Sequence, residues 1–333
     1  MDLFQIIEDI AKVEPEVYDR FDSRRAAFRN FLGFGKKVTA AALPIALPAL
    51  FNKAYGATTA LPQVVIDTLN LALQLEYLEF FFYDTALASP NLGLTAEETK
   101  AFQIIRNDEQ LHINTLRGTL GNSALPALTR ANFDYTGSQN GMRTNLNTPR
   151  GAAPLFTALG GTTNPTSGLF TDKAVFLTVA QNFVDTGVRA YKGGAPNLNT
   201  PDTKDILEAA LNIHSVEARH SSRIRSMRRG GVQSTTAPKS WITPDETVNA
   251  LGLPNNNVPN TPSAVSPYLA GNPVAMYPDE GNVTQGTTPV NVQTVTTVAS
   301  STAGAEAFDE PLDAATVKAI AKNFAADPVN MFK

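Results

Sequence analysis

The chain has 333 residues, no cysteine, three histidines and a formal net charge of -4, from 27 basic and 31 acidic side chains. Without cysteine there is no disulfide framework, thiolate-held zinc or iron–sulfur site, or cysteine nucleophile, and with so few histidines any metal site must be rich in carboxylates. The slightly acidic balance gives no reason to expect a nucleic acid partner, and charged residues, at 17%, fall well under the roughly 25% of an average soluble domain.

In chain order, Asp2 to Lys12 repeats apolar residues at three and four spacing, which predicts a short amphipathic helix. Arg24, Arg25, Arg29, Lys36 and Lys37 then form a basic run, followed by an apolar stretch from Val38 to Phe51 broken by Pro44 and Pro48. Its 14 residues fall short of the about 20 that a membrane span needs. Ser23-Arg24-Arg25 before this stretch resembles a twin-arginine export signal, though far from Met1. Export to the periplasm, the cell surface or the medium is the expectation, with a cytoplasmic location if the segment is no signal. The plainer alternative is a basic amphipathic helix that packs on the protein or touches a membrane surface through residues 1–56.

Four long helices are predicted next. The first runs from Pro62 to Ala88 and stops at Ser89-Pro90; the second opens at a capping box, Thr95 to Glu98, and reaches Leu120. About 50 residues rich in Gly, Asn, Thr and Pro separate it from a third helix that opens near Thr171-Asp172 and is expected to end at Gly193-Gly194. The fourth is read from Thr200-Pro201-Asp202 to Gly230-Gly231. This predicts an all-α fold, a four-helix bundle with a long crossover between helices 2 and 3. Domain bounds follow at 1–60, 61–231 and 232–333. In the last region, residues 254–304 hold no lysine or arginine and only Asp279 and Glu280 as acids. An ordered extended wrap is expected there, anchored by Trp241, Tyr268, Met276 and Tyr277, with a short hairpin around Val290, Val292 and Thr294 and a terminal helix from Glu310.

Two of the three histidines share one setting: Glu109 stands three residues before His112, and Glu217 three before His220. On a helix these positions share a face, so each pair offers a carboxylate and an imidazole to one point. With 31 acids in 333 residues, such a coincidence has a chance of about 2%, which sets it above the false-positive level of a lone motif. A dinuclear carboxylate site needs one more carboxylate from each remaining helix. The first helix has Glu76 and Glu79 inside an apolar run, where either is costly to bury without a cation or partner. The third has Asp185, with Gln181 one turn earlier. Glu76 is the favoured ligand; the alternative gives Glu79 the metal and makes Glu76 an acceptor for an imidazole N–H. His214 reads as support. Tyr83 and Tyr191 read as core tyrosines near the site, and the arginines from Arg219 to Arg229 as cations favouring a helix C-terminus.

Glu76 and Tyr83, both Glu-x-x-His pairs and the segment Val184 to Gly193 resemble the ferritin-like superfamily, closest to its desiccation-related, often exported branch. The resemblance covers about Pro62 to Gly230. It implies that Glu76, Glu109, His112, Glu217 and His220 are ligands, that Glu109 and Glu217 bridge, and that Tyr83 is the nearby tyrosine. It also implies Glu76, Glu109, Glu217 and Tyr83 as the catalytic set. The third-helix glutamate of such sites falls here on Val184, a departure that leaves Asp185 as substitute from the next position, rotated by about 100°. The implied cofactors are two iron or manganese ions, iron favoured, with O2 or peroxide as partner and protection against oxidative or drying stress as role. Ferroxidase and manganese-catalase-like activity stay open, as does a structural or surface protein with a vestigial site; a homo-oligomer is expected.

Overall fold

The computed structural model describes residues 61–135, 169–231, 239–244, 246, 253–254, 264–295, 300–327 and 329–333. The chain divides into a unit over Met1–Lys53 and a second over Ala54–Lys333, and every described residue belongs to the second. The amphipathic run, the arginine pair and most of the crossover lie outside the described residues.

Four helices make the bundle: α1 (Gln63–Leu87), α2 (Ala96–Leu120), α3 (Lys173–Leu198) and α4 (Lys204–Arg228). The architecture is the all-α, four-helix bundle that the apolar periodicity predicts. The capping box forms as read: Thr95 Oγ1 accepts from Glu98 N, and Thr95 N donates to Glu98 Oε2 at 2.8 Å. Asp172 caps α3 by accepting from the backbone N–H of Ala174 and Val175. The main pairings are α1 with α2 and α3 with α4, and α1 against α3 joins the two hairpins. α1 is buried on nearly every side, its core residues including Leu69, Leu73, Leu78 and Phe82. Phe82 packs against Tyr83, Tyr135, Phe170, Phe176 and Phe183, so aromatic rings fill this part of the bundle.

Two helix ends differ from the sequence reading. α3 does not stop at Gly193-Gly194 but continues to Leu198, with Pro196 inside it. The glycines serve packing instead: a Cβ on Gly193 would lie 2.0 Å from Leu312 O, which leaves no room for any side chain. α4 starts at Lys204, after Thr200-Pro201-Asp202, with Thr203 as its N-cap: the Thr203 carbonyl accepts from Leu207 N, while its hydroxyl donates back to Leu198 O at the end of α3.

The C-terminal region is part of the fold. It contains two short antiparallel strand pairs, β1 (Leu253–Pro254) with β2 (Ala264–Val265) and β3 (Thr284–Gln285) with β4 (Val290–Asn291), then helices α5 (Ser301–Glu306) and α6 (Ala314–Ala321). The expected hairpin strand ends at Asn291, and Val292–Thr294 turns as a 3-10 helix. Of the four expected anchors, Tyr268 is buried, whereas Trp241 and Met276 are exposed. Tyr268 does anchor the region, through Asp185 and Gln181 of α3, and further anchoring comes from residues outside the expected four. Arg189 of α3, fully buried, donates to the carbonyls of Pro267, Leu269, Pro278, Glu310 and Pro311 and pairs with Glu280 at 2.9 Å. Phe324 meets Phe183 with ring centroids 4.5 Å apart. Asp134 N donates to Phe324 O, and Ala326 N to Asn132 O, both at 2.8 Å. Among the described residues, no helix is long and apolar enough to cross a membrane.

Candidate metal centre

The apolar neighbours Leu75, Leu78 and Phe82 force α1 into the core, and Glu76 and Glu79 go in with it, 3% and 4% exposed. The one-turn spacing of Glu109 with His112 on α2 and of Glu217 with His220 on α4 brings those four side chains to the same interior, all buried.

His112 Nδ1 lies 3.1 Å from Glu76 Oε2, Glu109 Oε2 and Glu217 Oε1 alike. His220 Nδ1 lies 3.1 Å from Glu109 Oε1 and 3.7 Å from Glu217 Oε2. Glu109 and Glu217 thus each turn one oxygen toward His112 and the other toward His220, the arrangement of bridging carboxylates. The two imidazole centroids are 6.3 Å apart. On its far side, His220 Nε2 is 3.0 Å from Asp108 Oδ2. An Nε2–H donated to Asp108 leaves the Nδ1 lone pair facing the glutamates, as in carboxylate–histidine–metal relays. Tyr191 of α3 donates its hydroxyl proton to Glu76 Oε1, and Tyr83 donates to Glu79 Oε2 at 3.0 Å.

The donor set fits a metal. One imidazole N–H cannot serve three carboxylates. Glu109 Oε1, both Glu217 oxygens and His220 Nδ1 are buried with no hydrogen-bond partner, a condition native cores rarely leave unexplained. Ligands about 2.1 Å from an ion in octahedral geometry sit about 3.0 Å from one another, close to the spacing around His112. Glu76, Glu109, His112 and Glu217 each offer an atom within 4.8 Å of the others.

The electrostatics point the same way. Burial pushes Glu76 up to about 8, although His112 opposes it. Burial, then the charges of Glu217, Glu109 and Glu76, hold Glu79 well above the usual carboxylate range. Burial disfavours the charged form of His220, but Asp108, Glu109 and Glu217 overcome it and raise the group to about 12. Burial would also raise Glu217, yet His112 and His220 bring it down to about 2. Three buried glutamates face two imidazoles, with Glu79 buried close by, so protons remain where a divalent cation could stand.

The structure thus brings Glu76, Glu109, His112, Glu217 and His220 together, with Tyr83 against Glu79. Asp185 is a correction: it does not join them. Its carboxylate accepts from Ser221 Oγ at 2.5 Å, from the Tyr268 hydroxyl at 2.6 Å and from Arg225. The reason is helical phase. Val184, Gly187 and Tyr191 share a face of α3 by spacing, Gly187 and Tyr191 meet the cluster on it, and the position after Val184 turns about 100° away. Gln181, one turn earlier, donates to Glu246 and Tyr268. The α4 arginines do more than favour a helix end, since Arg225, Arg228 and Arg229 all pair with the buried Glu246. His214 lies outside the cluster, and burial lowers its pKa. Asp108 is the residue the sequence reading missed; its partner is on another helix, so no local spacing announces it.

A cavity of about 190 Å³ lies between α1, α3 and α6, and Leu75, Leu312, Val317 and Tyr191 line it. Tyr191 therefore touches both this cavity and Glu76.

Residues 65–229 match the family model described as the ferritin-like domain. None of the curated proteins and none of the solved structures matches the chain. With its four-helix bundle and its buried carboxylate–imidazole cluster, the stretch 65–229 is similar to the ferritin-like domain in both fold and donor set.

Proposed function

We propose that the cluster holds two redox-active ions, iron favoured over manganese, and that the protein oxidises Fe(II) or handles O2 or peroxide. The observation that carries this reading is the split of Glu109 and Glu217, one oxygen of each toward His112 and the other toward His220. Carboxylate with imidazole suits iron and manganese, and the chain has no thiolate to attract softer metals. When bound, such ions supply the electrons for reducing O2 or peroxide.

The chain's own residues prepare the site. Asp108 fixes the His220 tautomer, and Tyr191 holds one oxygen of Glu76 while the other faces His112. Burial keeps bulk water from the glutamates, and the Tyr191 side chain, which bonds Glu76, links the cluster to the neighbouring cavity. The proposal extends to the cell: the Ser23-Arg24-Arg25 segment supports export, and the resemblance to the desiccation-related branch supports protection against oxidative or drying stress.

Elemental analysis of protein purified without chelator, followed by Fe(II)-oxidation and peroxide-consumption assays, tests this. Bound iron or manganese with either activity is the expected result, and the two assays separate ferroxidase from catalase-like chemistry. Protein that neither contains nor takes up metal would overturn the reading and favour a structural role for the bundle.

A further inference from the structure

The two halves of the cluster are unequal in one respect. The His112 half has a glutamate of its own from α1, Glu76, beside the shared oxygens of Glu109 and Glu217. The His220 half has the other oxygens of the same two glutamates, and α3 offers it no carboxylate: the residues of α3 that meet the cluster are Gly187, beside Glu79 and Glu217, and Tyr191, on Glu76, while Asp185 is turned to Arg225.

We propose that Glu79, a second glutamate from α1, supplies the carboxylate that α3 lacks, so that Glu79 serves the His220 half as Glu76 serves the His112 half. This rests on the two-ion reading above. Three observations carry it. Glu76 and Glu79 are one turn apart and both buried, so one helix delivers two carboxylates to one interior. Gly187 makes the space: a Cβ there would lie 3.2 Å from Glu79 Oε1 and 3.8 Å from Glu217 Oε2. The oxygen of Glu217 that shares this hollow with Glu79 is the one turned toward His220, not the one turned toward His112. Finally, Glu109 Oε1, Glu217 Oε2 and His220 Nδ1, the donors of that half, are buried without hydrogen-bond partners, whereas the other oxygen of Glu79 is already held by Tyr83. A glycine on α3 and a glutamate on α1 thus replace one α3 carboxylate.

The test is anaerobic titration of the full chain with Mn(II), reading stoichiometry by calorimetry and elemental analysis and the coupling between ions by electron paramagnetic resonance. The wild type is expected to take about two equivalents, with the spectrum of a coupled pair. Glu79→Gln, which keeps the side-chain volume, is expected to take about one and to show isolated Mn(II), while Glu76→Gln weakens the other position. Gly187→Ala should weaken the second equivalent by about tenfold or more, an effect comparable with disturbing a ligand's support, and it serves if Glu79→Gln fails to fold as judged by circular dichroism. A wild type that binds no metal defeats the underlying reading. A wild type that binds two ions, with Glu79→Gln and Gly187→Ala binding both at unchanged affinity and with an unchanged coupled spectrum, overturns the role of Glu79 and leaves the two-ion reading intact. A wild type that binds a single ion overturns it as well.

Discussion

At the scale of residues, two carboxylates that look similar in the sequence have opposite duties. Asp108 is partly exposed and its carboxylate meets His220, where it decides which imidazole nitrogen faces the glutamates. Asp108→Ala should keep the fold and lower metal affinity by about 10- to 100-fold, as loss of an outer partner of a ligand typically does; a metal-competition titration measures it. Asp185 is deeper but serves structure, through Arg225, Ser221 and Tyr268. Asp185→Ala should leave metal stoichiometry unchanged and cost about 1–3 kcal/mol, because it leaves the Tyr268 and Ser221 hydroxyls and one arm of Arg225 without their acceptor, while Glu246 still holds the guanidinium. Chemical denaturation and elemental analysis on one preparation check both halves of that statement. The Glu-x-x-His pairs were legible because their spacing is local. Asp185 does not fit the sequence expectation because a single step along α3 swings a side chain from the face of the cluster to the face of α4.

At the scale of elements, helix starts and glycines tell different stories. The Thr95–Glu98 box was readable in four letters and forms as written. Glu98 also pairs with Lys173 of α3, at 3.1 Å, which no local pattern foretold. Burial would raise the Glu98 pKa, but the Thr95 backbone and Lys173 more than offset it, and the value is lowered from 4.5. A carboxyl whose folded pKa is depressed contributes stability above its unfolded pKa and loses it as pH falls through the folded value. Glu98→Gln should therefore be less stable by up to about 1 kcal/mol at neutral pH, and the gap should close below about pH 4.5. Thermal melts from pH 7 to 3 show the sign. Gly193 carries the opposite lesson: a residue that reads as a helix stop lies inside α3, because the Leu312 backbone passes where a side chain would be. Gly193→Ala should destabilise by about 1–3 kcal/mol, the usual cost of overpacking, measured by denaturant unfolding.

At the scale of the whole molecule, the low-charge C-terminal region closes the bundle instead of trailing from it. Arg189 binds five of its carbonyls and one of its glutamates, Glu246 gathers Arg225 and Arg228 of α4 and Arg229 at its C-cap, and Phe324 and Phe332 are buried with the core. A chain ending at residue 231 would expose the aromatic face around Phe183, strip Arg189 of the carbonyls and the glutamate that it binds, and leave Arg225 with Asp185 and Ser221 but without Glu246. It should fail to unfold cooperatively and should be rapidly degraded in limited proteolysis, while the full chain resists. A truncated bundle with the same melting temperature as the full chain would show that the region is dispensable.

The sequence by itself determined what depends on neighbours within a turn or two: four helices, their caps at Thr95 and Asp172, and which histidines stand beside which glutamates. Helix periodicity is a local property, so it survives in one dimension. Only the tertiary structure decided what depends on helix phase and on contacts across a hundred residues. It turned Gly187 and Tyr191 toward the cluster and Asp185 away, brought Asp108 to His220, and set Arg189 under the C-terminal carbonyls. The face of α3 that meets the cluster is written in the sequence as an absence, a glycine without a side chain, and such an absence acquires meaning only when another helix's glutamate is seen beside it.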